Sequence, residues 1–416
     1  MQRSHIFGHG NSLAVDIARF FTLFFIFLLP WENVIILPGL GTLARLVGIA
    51  MAGSWLVAVA VTGRIRKPHP VHLMTFALLA WAGATIIWSP SLFVSGVFMS
   101  TLIQIALLML ISWDLLSTKR LADLAARLFV AGALVSAGLI IVNGALGNVT
   151  TFERRATIAN SNSNDIGVIL ALSLPLAWHH AMTTRTIWRP LCFAFIPAAY
   201  IAIFFTASRS SLLATLPFIV YLLALIRRSS IRQRMRYVVG GAMALPFIFA
   251  FAPESGFERF STIGDSVSEG EFGSRQIFWA RGLELWLEDP WSLLLGGGIG
   301  TFAFHIGRVA HQTFISVAFE VGVIGLGLFI ATLVVGGREI RRLPIGERWA
   351  WTASFGTWFI GVQTLSWEFH KVTWMILIMA VISACASRRR PTNEEATRLV
   401  DRRLTGPRNL HSSPSP

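Results

Sequence analysis

The side chains able to do chemistry in this chain are few and lie mainly in its second half. His311 and Gln312 stand just ahead of a long apolar run. Imidazole is the side chain best suited to proton transfer near neutral pH; the plainer reading of His311 is a histidine hydrogen-bonded at a membrane interface. Glu320 follows nine residues later. Over that distance an ideal helix turns about 900° and rises ~13 Å, so Glu320 points away from His311 and a dyad is not expected. It is expected instead to meet another helix or a polar cavity, because intramembrane acids are costly and usually paired. Gly322 and Gly325 lie near one face of the same run and are expected to permit close helix packing beneath the histidine.

Guanidiniums are the second ingredient. Arg209 sits in Thr206-Ala207-Ser208-Arg209-Ser210-Ser211, Arg281 in the amphipathic stretch Ser274 to Glu288, and Arg154 and Arg155 precede Asn160-Ser161-Asn162-Ser163-Asn164-Asp165. Such cations suit an anionic substrate. Each has a simpler alternative: Arg209 snorkelling to lipid phosphate, Arg281 pairing with Glu284 or Glu288, and the Asn-rich run capping a helix where it could otherwise hydrogen-bond sugar hydroxyls. Arg155, Asn160 and Arg275 complete the candidate contacts to glycan or phosphate. His305, in the same stretch as His311, reads as solvated. There is no nucleoside-binding loop, Asp-x-Asp pair or Gly-rich phosphate cradle. Cys192 and Cys385 both lie within apolar blocks and suggest neither a disulfide nor a metal site.

The elements that position these groups are membrane spans. Of 416 residues, 54% are hydrophobic and 13% charged, and the mean hydropathy is +0.63. Soluble domains carry roughly a quarter charged residues. Leu212 to Ile226 and Val238 to Ala252 hold no charge at all, and a segment apolar all round needs lipid or protein on every side. A bilayer span takes about 20 such residues and must be helical to satisfy its backbone. About twelve candidate spans follow on that length criterion: 13–30, 41–62, 71–88, 92–112, 124–146, 163–182, 189–206, 210–226, 236–252, 311–336, 349–366 and 370–387. The fold class is therefore an all-α polytopic membrane protein. Met1 to Asn11 is polar and the next run lacks a small-residue cleavage site, so the first run reads as a permanent span.

Basic residues recur in alternate loops: Arg64 to Lys67, Lys119 and Arg120, Arg185 and Arg189, Arg227 to Arg236, Arg338 to Arg348, and Arg388 to Arg390. The positive-inside rule places those loops and both termini in the cytoplasm. Most of the net charge of +14 is then a topology signal facing anionic headgroups, and nucleic-acid binding is not needed to explain it. The chain divides into spans one to nine (1–252), one large outer loop (253–310), spans ten to twelve (311–387) and a polar tail (388–416) expected to be disordered. Within the loop, 274–288 has helical character and Gly296 to Gly300 reads as a flexible turn. So long a loop is usually functional.

The motifs resemble those of bacterial O-antigen ligases and polysaccharide polymerases. His311-Gln312, nine residues, Gly322-Val323-Ile324-Gly325 is similar to the family's His-[Asn/Ser/Gln]-x9-Gly-xx-[Gly/Thr/Tyr] pattern, and Arg281-Gly282-Leu283-Glu284-Leu285 to its Arg-x3-Leu element in the same loop. The Arg155 to Asn160 entry and the Ser-Arg-Ser segment at Arg209 extend the resemblance over about 150–335. It implies a GT-C-like glycosyltransferase of the bacterial inner membrane that moves a glycan from undecaprenyl pyrophosphate to an acceptor hydroxyl at the periplasmic face. It implies metal-independent, inverting transfer with no cofactor, His311 as general base, and Arg209 and Arg281 on the pyrophosphate. The acceptor would be another lipid-linked glycan or lipid A core, with other polysaccharide assembly proteins as neighbours. The rival reading is a transporter or flippase for lipid-linked oligosaccharide. Such folds are usually built from repeats with a midplane site, whereas here no matching halves are visible and the polar cluster is one-sided.

Overall fold

The computed structural model describes residues 12–147, 155–158, 161–235, 237, 246, 250–251, 253–261 and 275–388. The first half holds α1 (Leu13–Leu28), α2 (Leu43–Thr62), α3 (Pro70–Ala84), α4 (Leu92–Leu115), α5 (Lys119–Ala145), α6 (Ser163–Thr183), α7 (Trp188–Thr206), α8 (Arg209–Leu213) and α9 (Leu216–Arg228). The loop contributes α10 (Glu254–Ser261), α11 (Arg275–Leu287), α12 (Pro290–Leu295) and α13 (Phe302–Ile306). Three long helices close the chain: α14 (Thr313–Ile340), α15 (Ile345–Gly361) and α16 (Lys371–Ser387). A two-residue hairpin, Ile36–Leu37 against Gly41–Thr42, is the only sheet among the described residues.

Helix starts follow capping chemistry. The side chains of Ser12, Thr42, Ser91, Thr118 and Asn162 each accept a backbone N–H from the first turn that follows. Of the Asn-rich run, Asn162 is the residue that caps; Arg154 and Asn160 lie outside the described residues. Nine helices among the described residues are long and apolar enough to cross a membrane, and Lys371–Ser387 is apolar but shorter. The chain is thus an all-α polytopic membrane protein. The expected ninth span, 236–252, lies almost wholly outside the described residues. The expected eleventh, 349–366, ends earlier: α15 stops at Gly361, and 362–370 forms a non-helical connection.

The bundle is built around α6 and α16, which are buried on nearly every face. Such helices need apolar residues all round, as their sequences supply. Contacts separate the two ends of the bundle. At one end Trp113 Nε1 donates to Lys67 O at 2.9 Å, Lys119 pairs with Glu347 at 3.0 Å, and Arg228 lies over Trp349. These join the basic loops after α2, α4, α9 and α14. At the other end Asn33 meets Ser161, Lys371 pairs with Glu32, and Ser95 near the start of α4 donates to Ile299 O at 2.7 Å. The loop helices α11 to α13 pack at this second end.

Candidate active site

His311 precedes the first turn of α14 and lies outside the spanning helix. Gln312 is the N-cap: its Oε1 accepts from Ile315 N at 2.6 Å, and its Nε2 donates to Gln363 Oε1 at 3.0 Å. His311 itself has φ +50°, a left-handed conformation that costs a non-glycine residue about 1–2 kcal/mol. It is held there by its neighbours. Trp279 Nε1, on α11, donates to Ala310 O at 2.6 Å, and His311 N donates to Ser366 Oγ at 3.0 Å. The peptide joining Ala310 to His311 is therefore gripped from the loop on one side and from the connection 362–370 on the other. Thr313 fastens the same connection: its N donates to Val362 O, its Oγ1 donates to Leu365 O at 2.8 Å and accepts from Trp367 N at 2.8 Å.

Two charges bear on the half-buried imidazole. Burial pushes its pKa below the ordinary value, the Arg275 guanidinium adds to that, and the Asp165 carboxylate pulls it back up. The ring is consequently neutral at neutral pH and able to accept a proton. Arg275 opens α11, four residues before Trp279 and so on the same helix face, which brings it to His311. Asp165 lies in the first turn of α6, and its Oδ1 accepts from Trp367 Nε1 at 2.8 Å. Trp367 in turn stacks on His370, with ring centroids 4.5 Å apart.

Arg209 reaches the same end by a different route. It opens α8, whose cap Ser208 accepts from Ser211 N at 3.2 Å. Ser211 Oγ donates to Ser208 Oγ at 2.7 Å and lies 3.3 Å from Asn164 O. A glycine is required opposite: a Cβ on Gly167 would stand 2.2 Å from Ser211 Oγ. The Arg209 turn is thus docked on the first turn of α6, beside Asp165. Arg155 lies at the end of α7, where Ala156 N donates to Phe205 O at 2.9 Å and Asn143 Nδ2 donates to Thr157 O at 2.9 Å.

Arg281 is placed differently. Its guanidinium is exposed and pairs with Glu284 Oε2 at 2.7 Å, the i,i+3 ion pair that the sequence left open. The structure brings together His311, Arg275 and Asp165, sets Arg209 and Arg155 at the same end of the bundle, and leaves Arg281 engaged with its own helix. Asp165, Ser366, Trp367 and Trp279 were not singled out from the sequence. Asp165 ends a polar run at a helix mouth, which was a signal; Ser366 carried none, since 349–366 reads as a span, and Trp367 falls in the short join before 370–387.

The expected flexible turn at Gly296 to Gly300 is instead a fixed strap. Gly297 N donates to Phe319 O at 2.8 Å, Gly298 N to Glu320 O at 2.9 Å, and Trp88 Nε1 to Gly296 O at 2.9 Å. The receiving carbonyls lie where α14 is broken at Gly322, which has φ +67° and ψ −175°. Gly322 therefore serves a chain break into which the strap fits, and the expected close packing is present as well, with Leu294 at the end of α12 against Gly322 and Trp81 of α3 against Gly325. Glu320 lies buried away from His311 as anticipated, accepting from Gly300 N at 2.8 Å and Phe302 N at 3.3 Å. His305 is exposed, as expected, with its ring edge-on to Phe319 at a centroid distance of 5.5 Å, and partial burial lowers its pKa. At the basic end, ligand atoms of His69, Glu339 and Cys385 lie within 4.8 Å of one another. The Glu339 carboxylate is already paired with Arg342 and Arg388, so this group reads as a structural ion cluster.

A many-span helical membrane protein with His311, Arg275 and Arg209 at one end of the bundle, beside the packed loop helices, is the class that fold and site define. Residues 192–330 match the family model described as O-antigen ligase, so this third of the chain is similar to that family. The match takes in Arg209, Arg275, Arg281, His311 and Gly322; Asp165, Arg155 and Ser366 lie outside it. No curated protein matches the chain.

Proposed function

We propose that the chain transfers a glycan from undecaprenyl pyrophosphate to an acceptor hydroxyl at the periplasmic face of the bacterial inner membrane. The observation that carries this reading is His311, a neutral imidazole clamped by its own peptide between α11 and the connection 362–370, with Arg275 and Asp165 acting on it. His311 takes the proton of the acceptor hydroxyl as its oxygen attacks the anomeric carbon. The bond from that carbon to the pyrophosphate oxygen breaks, undecaprenyl pyrophosphate leaves, and the configuration inverts. Asp165 stabilises the imidazolium that forms.

Pyrophosphate is a good leaving group, and fixed cations need only meet its developing charge. Arg209, Arg275 and Arg155 lie at this end, and guanidinium forks match phosphate oxygens. Arg281 joins them by exchanging Glu284 for the donor, because an exposed ion pair of this kind is weak. This scheme assigns charge neutralisation to the guanidiniums and needs no metal. The basic end of the bundle faces the cytoplasm by the positive-inside rule, with both termini there and the frame completed to twelve spans. The acceptor is another lipid-linked glycan or lipid A core, the polymerase and ligase versions of one reaction. The test is reconstitution of the full chain in nanodiscs with a lipid-pyrophosphate oligosaccharide and each acceptor in turn. Mass gain on an acceptor with release of undecaprenyl pyrophosphate is the expected result; a donor that is moved across the bilayer with no bond broken would mark a transporter.

A further inference from the structure

A cavity lies in the loop, apart from His311, with Arg281 acting on the Glu288 carboxylate in its wall. It has a volume of about 230 Å³ and is walled by Trp286, Glu288, Asp289, Gly297, His305 and Phe319, among others. That is below the roughly 300–1,000 Å³ of sites for drug-sized ligands, a size suited to a single ring. Its walls combine two kinds of surface. Trp286 and Phe319 offer aromatic area, and Gly297 lies against both Phe319 and His305: a Cβ there would stand 3.5 Å from Phe319 and 3.7 Å from His305 Nε2. Against these stand two carboxylates and an imidazole. Asp289 is partly committed, since its Oδ2 caps α12 through Ser292 N at 2.9 Å, whereas Glu288 is exposed at the rim.

The buried Trp286 Nε1 has no hydrogen-bond partner among the described residues. A buried donor left unmatched is costly, so an acceptor oxygen on a ligand would be favoured there. Aromatic wall, unmatched indole N–H and carboxylate acceptors together describe the recognition of a pyranose. Its C–H face packs on the rings and its hydroxyls bond to the polar groups. The lining itself holds two carboxylates and no Arg or Lys, with Arg281 paired to Glu284 on its own helix, so phosphate and uronate are disfavoured inside the cavity. The cavity also communicates with the candidate base: Trp286 and Leu285 pack on a small cluster of Phe302, Phe319 and Ala310, the last being the residue before His311.

We propose that this cavity is a saccharide subsite that takes one neutral or amino-bearing pyranose of the glycan being transferred or extended. It rests on the transferase reading for its purpose, while its chemistry can be tested without turnover. The experiment is saturation-transfer NMR on the full chain in nanodiscs with methyl β-glucoside, methyl β-glucosaminide and methyl β-glucuronide. The first two should bind and the glucuronide at least about fivefold more weakly, the penalty of one like charge near 4 Å in water. Glu288→Gln should narrow that gap. Trp286→Phe keeps a ring but loses the N–H, and should weaken the neutral glycoside by about two- to tenfold, with unchanged thermal unfolding showing that the fold is intact. Equal binding of all three glycosides to the wild type, no binding of any, or a profile untouched by both substitutions would overturn the proposal. His311→Ala should leave glycoside binding intact. Transfer without glycoside binding sinks the subsite alone, and glycoside binding without transfer from a lipid pyrophosphate sinks the transferase reading alone.

Discussion

Gly322→Ala tests whether the strap seated in the break of α14 holds the loop in place. The backbone there is at φ +67° and ψ −175°, a region essentially restricted to glycine, where a side chain costs about 1–3 kcal/mol. The added Cβ would stand 2.2 Å from Leu294 O and 2.7 Å from Gly296 N. Both are backbone atoms that cannot rotate away, and overpacking of this kind costs about 1–3 kcal/mol more. The sum is about 2–6 kcal/mol, enough to expel the strap and break the hydrogen bonds from Gly297 N and Gly298 N to α14. Gly327 is the control on the same helix: a Cβ there meets nothing within 4 Å, so Gly327→Ala should be neutral or stabilise by up to about 1 kcal/mol. Thermal unfolding of the purified full chain, read beside transfer activity, measures both. The expected pattern is a destabilised, transfer-deficient Gly322→Ala and an unaffected Gly327→Ala. If Gly322→Ala unfolds and turns over like the wild type, the strap is not held in the break and the account of this glycine is wrong.

Three further outcomes are expected. The acid limb of the pH–rate profile should fall below the ordinary imidazole value of 6.5, because burial and Arg275 lower the His311 pKa. Arg275→Gln should move that limb to higher pH and Asp165→Asn to lower pH; a limb that neither substitution moves would detach these residues from His311. Arg209→Lys keeps the charge but loses the planar fork, and should cut transfer about 10- to 100-fold if a charge-assisted hydrogen bond of about 1.5–3 kcal/mol is lost. Wild-type turnover would return Arg209 to snorkelling at lipid phosphate. Ser268→Cys, in a background without Cys192 and Cys385, should react with a membrane-impermeant thiol reagent in outer-membrane-permeabilised cells, and labelling only after inner-membrane lysis would invert the orientation.

Nine of the expected spans were legible because lipid demands long apolar runs, and several of their starts because Ser, Thr and Asn cap helices. His311 and Gln312 were legible as a pair at a helix mouth, and the helix Arg275–Leu287 as an amphipathic stretch. What escaped is what depends on partners distant in sequence. Ser366 and Trp367 are apolar-run neighbours in the chain and become site residues only because α15 ends at Gly361 and lets the connection fold over His311. Asp165 looks like one more polar residue of a capping run until Trp367 fixes its carboxylate. Gly296 to Gly300 reads as flexible because glycine permits many conformations, and only the carbonyls exposed at Gly322 select one. Arg281 shows the converse: its position in a motif was legible, but its partner in this structure is the local Glu284.

The central claim is that His311 is the general base, and the direct measurement is single-turnover transfer by His311→Ala in nanodiscs with donor binding followed in parallel. General-base assistance contributes about 10²–10⁴-fold, so transfer should fall by that factor while expression, insertion and donor binding persist. The pH limb assigned to the imidazole should vanish with it. Arg308→Ala, an exposed loop position three residues upstream, should behave as the wild type. Near-normal transfer by His311→Ala, or an equal loss in Arg308→Ala, would contradict the assignment.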